Sequence, residues 1–108
     1  VQTASLPRDL LHDFCRQLAD FVSWDRSAGD DTPRFGLLFR SKADDLVVAA
    51  GRLAAHSALS SDVELKHRVA ALRGVAERTE TDPTFNRDVI ASGHEVAERG
   101  EDLLDVAW

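Results

Sequence analysis

The sequence predicts an all-α fold: an antiparallel four-helix bundle with one long loop between the first and second helices. Three observations predict it. Apolar residues recur at spacings of three and four along four separate stretches, the period of helices that each bury one face. No run of alternating apolar and polar residues competes as a half-buried strand. Short joints make consecutive helices antiparallel neighbours. With 108 residues, 44% hydrophobic and 30% charged, the chain has the size and composition of one globular domain, read as spanning 1–108.

The first helix is expected from about Leu6 to Trp24, with Ser5 as its cap and Pro7 in its first turn. Leu10, Leu11, Phe14, Cys15, Leu18, Phe21 and Val22 form its apolar face. The Gly, Pro and Asp residues between Asp25 and Arg34 favour turns and mark the long loop. The second helix is expected from Phe35 to Leu59, burying Leu38, Phe39, Ala43, Leu46, Val47, Ala50, Leu53 and Ala54. Gly51 costs about 1 kcal/mol of helix propensity relative to Ala and marks where a break would fall.

Ser61-Asp62-Val63-Glu64 matches a capping box, with the Ser61 hydroxyl and the Glu64 carboxylate satisfying each other's amides. The third helix then carries Leu65, Val69, Leu72, Val75 and Ala76 and ends at Thr79 to Asp82. Asp82-Pro83 opens the fourth helix, where Phe85, Val89, Gly93, Val96, Gly100, Leu103 and Ala107 share one stripe. Gly93 and Gly100 suit close approach by another helix, in the same bundle or in a second copy.

Composition excludes several classes. The net charge of −6 argues against nucleic acid held by bulk charge. No apolar run reaches the roughly 18–20 residues of a membrane span. A single cysteine, Cys15, rules out an internal disulfide framework and a cysteine-rich zinc module. Val1 to Ser5 lack the charged and apolar regions of a secretory signal, so a cytoplasmic setting is expected, with secretion inside a longer effector as the alternative. The absence of Met suggests a piece of a longer protein. The excess of Arg over Lys and the abundance of Ala suggest a GC-rich bacterial genome.

Four patterns bear on chemistry. Glu64 and His67 stand at the Glu-x-x-His spacing, which resembles the ligand turn of ferritin-like di-iron bundles. Those sites need a second such pair, and none is present, so no metal is expected. Leu53-Ala54-Ala55-His56-Ser57 resembles the Ala-His-Ser core of histidine phosphotransfer domains, which implies a phosphorylated His56 on a four-helix bundle; Ala58, Leu59 and Ser60 stand where that family has a Lys and a small residue. Arg87 and His94, six residues apart, resemble the Arg-x4–6-His motif of HEPN-type ribonucleases. The resemblance implies an Arg that steadies phosphate charge and a His that moves the ribose proton. Asp102-Leu-Leu-Asp105 resembles the magnesium-holding pairs of all-α nucleotide pyrophosphohydrolases, although Lys42-Ala-Asp44-Asp45 does not supply the facing pair.

The reading that follows is a non-catalytic interaction or regulatory domain without a cofactor. It binds a partner protein or self-associates, for instance as a dimer, and the HEPN-like ribonuclease with Arg87 and His94 is the alternative. The long loop and its flanking aromatics nominate Trp24, Arg34 and Phe35 as binding residues. Trp108, at the other aromatic helix end, joins them, although capping the end of the core is the commoner role for a Trp so placed.

Overall fold

A computed structural model describes residues 6–29, 35–78 and 84–105. Four helices follow one another: α1 (Pro7–Ala28), α2 (Gly36–Ala55), α3 (Val63–Ala76) and α4 (Phe85–Leu104). Each packs against its neighbours around a ring, α1 on α2 and α4, and α3 on α2 and α4, with α2 and α4 also touching across the diagonal. The long dimension of 42 Å is the length of one helix plus its turns; the 22 residues of α1 alone span about 33 Å. This is the four-helix bundle that the apolar periodicity predicts.

The core follows that periodicity closely. Leu11, Phe14, Leu18 and Phe21 of α1 meet Phe39, Ala43, Leu46 and Leu53 of α2, Leu65, Val69 and Leu72 of α3, and Phe85, Val89 and Val96 of α4. Phe21 and Phe39 pack edge to face with ring centroids 5.5 Å apart. Leu10, Cys15 and Val47 sit at the margin of this core, only partly buried; Val22 is half-buried on α1. Leu38 departs from expectation. It lies in the first turn of α2, beyond the last full layer of core, and is 36% exposed.

Helix boundaries differ from the sequence reading in instructive ways. α1 continues four residues past Trp24, because Asp25-Arg26-Ser27-Ala28 is compatible with helix until Gly29 takes a φ of +50°, a conformation that favours glycine. The joint to α2 is therefore Gly29 to Phe35, seven residues rather than ten. α2 runs unbroken through Gly51 and stops at Ala55, where His56 adopts an extended backbone. The His56 imidazole Nδ1 accepts the Ala58 N–H at 3.0 Å, and its carbonyl accepts those of Leu59 and Ser60. Leu59 is thus buried from a turn, not from the helix. The Ser5 cap and the Asp82-Pro83 start lie outside the described residues.

The start of α3 shifts by one residue. Asp62, not Ser61, is the cap, and its carboxylate accepts the Leu65 N–H at 2.7 Å. Glu64 consequently points along its own helix to Arg68, 3.8 Å away. The reason lies on α4: Arg99 donates two hydrogen bonds to Asp62, at 2.7 and 3.0 Å. A planar guanidinium against a carboxylate adds geometric preference to charge.

Gly93 and Gly100 are used inside the bundle. A Cβ on Gly93 would stand 2.7 Å from Cδ1 of Leu18, and one on Gly100 would stand 2.8 Å from Cδ1 of Leu11. α1 lies directly on both positions, so the expectation that this stripe could receive a helix of a second copy is corrected. Asn86, the buried polar residue of α4, ties the same two helices by donating to Asp25 at 2.9 Å.

The Asp62 carboxyl is held down to about 2 from an ordinary 3.8, first by the Arg99 hydrogen bonds and then by the Leu65 amide. A depressed folded-state value stabilises the fold above the unfolded value and loses that effect as pH falls through about 2. Asp62→Asn keeps a cap acceptor but removes the charge. Its melting temperature should fall by roughly 5 °C at pH 7, with the difference from the parent chain closing between pH 4 and pH 2. Thermal melts across that range followed by circular dichroism test this; a constant offset down to pH 2 would contradict it.

Candidate functional site

The nominated residues separate into two regions. Trp24, on the last full turns of α1, is 41% exposed. Lys42 of α2 places its Nζ 5.1 Å from the Trp24 ring centroid, a cation–π arrangement, and also pairs with Asp20 at 2.7 Å. The Lys42 side chain is thereby fixed between a carboxylate and an aromatic face. Phe35 is the residue at the start of α2 and is 36% exposed; Leu37, two residues on, is 79% exposed. Leu38 stands one turn before Lys42 on the same side of α2. Trp24, Phe35, Leu37 and Leu38 therefore gather where α1 hands over to α2. Arg34 and Trp108 lie outside the described residues.

The sequence reading missed Lys42, Leu37 and Leu38 as parts of this surface. Lys42 is legible only once the register of α1 against α2 is known, because its two partners lie 18 and 22 residues away. Beside it runs a groove of about 310 Å³ with Gln17 and Asp20 on one wall and Asp45, Val48 and Arg52 on the other. Asp20 and Asp45 face Lys42 and Arg52 around this groove, so its rim is of mixed charge.

Arg87 and His94 stand two turns apart on α4. Arg87 is directed at the neighbouring Asp88, 3.2 Å away, and most of its side chain is in solvent. Asp88 also accepts from Arg78 at 2.7 Å; that bond first, and Arg87 after it, hold the Asp88 carboxyl below its usual range. His94, two helical turns on, is exposed and lines the groove between α1 and α4. That groove also holds Cys15, whose thiol burial and nearby Glu101 push up to about 11. The thiol is protonated at neutral pH and is a poor nucleophile.

Members of the remaining patterns also make local contacts. His56 terminates α2 and organises the following turn. Glu64 pairs with Arg68. Asp105 ends α4 in a left-handed conformation, with φ of 53°. Among the described residues no group of three or more His, Cys, Asp or Glu is placed to hold a metal ion, and no helix is long and apolar enough to cross a membrane.

Comparison with protein-family models, with curated proteins and with solved structures finds no match.

Proposed function

We propose that this bundle is a non-catalytic module that binds a partner protein at the corner where α1 meets α2. One observation supports the reading above the others. Of the seven large apolar side chains exposed among the described residues, Trp24, Phe35, Leu37 and Leu38 lie near the end of α1 or at the start of α2, while Leu6 precedes α1 and Val48 and Val63 stand further along α2 and at the start of α3. Exposed apolar side chains at one end of a fold, beside charged ones, are a feature of interaction sites. The rim here is charged, with Asp20 and Asp45 beside Arg52 and a Lys42 already engaged by Asp20. The net charge of −6 favours a partner of basic or mixed charge, which it would steer into place before the apolar side chains make contact.

Trp24 is the expected anchor, because a large aromatic with its face already backed by a cation needs little reordering on binding. A photo-crosslinking residue at position 37 would capture the partner in the cell of origin, and titration of the purified pair would then give its Kd. Trp24→Ala and Phe35→Ala are each expected to weaken binding by about 2 kcal/mol, roughly 30-fold, with Val63→Ser unchanged. Unaltered affinity in both corner variants would refute the assignment of this surface.

A further inference from the structure

We propose that the chain also pairs with a second copy of itself, through the groove between α1 and α4, in an antiparallel arrangement about a twofold axis. This face is separate from the α1–α2 corner. The groove has a volume of about 590 Å³ and a mostly apolar floor that includes Leu18, Val22 and Ala97. Arg26 marks one end and Glu101 the other. Neither Arg26 nor Glu101 makes an ion pair with another described residue.

The register of the two helices makes these ends symmetric. Leu18 lies against Gly93 and Leu11 against Gly100, so α1 and α4 run antiparallel with Leu18 and Gly93 at one level. Arg26 is eight residues from Leu18 in one direction along the bundle. Glu101 is eight residues from Gly93 in the opposite direction. At 1.5 Å per residue each charge stands about 12 Å from the common midpoint. A twofold axis lying across the groove at that midpoint brings Arg26 of each copy to the level of Glu101 of the other. The apolar floors then meet in the middle, and two ion pairs close the ends.

The opposite orientation is disfavoured by the same charges. Laid parallel, the two copies would set Arg26 against Arg26 and Glu101 against Glu101, and like charges across an interface cost affinity. The groove is therefore complementary to itself in one orientation only, with the same patch used by both copies as a closed pair requires.

Sedimentation velocity from about 10 µM to about 500 µM covers the range of a small, weak interface. Over this range the mass is expected to rise from that of the 11.9 kDa chain towards twice that value. Arg26→Glu and Glu101→Arg should each weaken association at least tenfold, and the double variant should recover to within about threefold of the parent. Arg52→Glu, with the same charge change on α2, should leave association unchanged, and unaltered helical circular dichroism in every variant shows that folding is intact. A chain that stays monomeric throughout overturns the proposal. So does a dimer indifferent to either single reversal, or a double variant no tighter than the singles.

Discussion

Phe21→Ala is expected to remove about 3–5 kcal/mol of stability, the cost of deleting a buried ring and leaving the space unfilled. Phe21 is fully buried, and its edge contact with Phe39 joins α1 to α2 in the layer of the core nearest the α1–α2 corner. The aromatic pair adds about 0.5–1.5 kcal/mol to what the buried area alone would give. A domain of this size has only about 5–15 kcal/mol in total, so the variant should sit near the edge of folding at 37 °C. Urea unfolding followed by circular dichroism measures it, as a large drop in midpoint with little change in slope. A loss under about 1.5 kcal/mol would show that the ring is not a core element. Trp24→Ala, only three residues away but 41% exposed, should cost under about 1 kcal/mol. Phe21 thus serves stability, while Trp24 belongs to the proposed binding surface.

Gly93→Leu is expected to destabilise by about 3 kcal/mol, the upper part of the usual range for overfilling a packed site. A single carbon at this position already meets Cδ1 of Leu18 at 2.7 Å. That atom is the end of a side chain that can turn, so Gly93→Ala should be nearly neutral: the shift of Leu18 is offset by up to about 1 kcal/mol of helix propensity. Three further carbons leave Leu18 nowhere to go, and α1 must move off α4. Gly51 supplies the matched control, since a Cβ there meets nothing within 4 Å. Gly51→Ala should raise stability by up to about 1 kcal/mol through propensity alone. Equal effects of leucine at positions 51 and 93 in urea unfolding would contradict this account of the α1–α4 contact.

The features readable in the sequence were those set by spacing along one helix. Phe14, Leu18 and Phe21 advertise the buried face of α1 because three and four residues make one turn, whatever lies opposite. The features it concealed depend on a second helix. Ser61 and Asp62 are equally good caps locally, and the choice between them is made by Arg99, 37 residues away. Leu38 fits the apolar stripe of α2 yet lies outside the core, because the stripe gives direction but not depth. Gly93 and Gly100 announce close packing without naming the neighbour, and the neighbour proves to be α1. The candidate corner was half visible: Trp24 and Phe35 stand out by type, whereas Lys42 becomes part of it only when α1 and α2 are laid side by side. The α1 boundary moved for a local reason, since polar residues ahead of Gly29 resemble a loop although helix accommodates them until a positive φ is needed.

The clasp between Asp62 and Arg99 couples two segments that would otherwise loosen independently. Helix ends normally fray one turn at a time, and their amide protons exchange with solvent accordingly. Here the same carboxylate that holds the Leu65 amide also holds the guanidinium of Arg99. Deuterium uptake at the opening turn of α3 therefore tracks the departure of the distal half of α4, and the two should show matching protection factors.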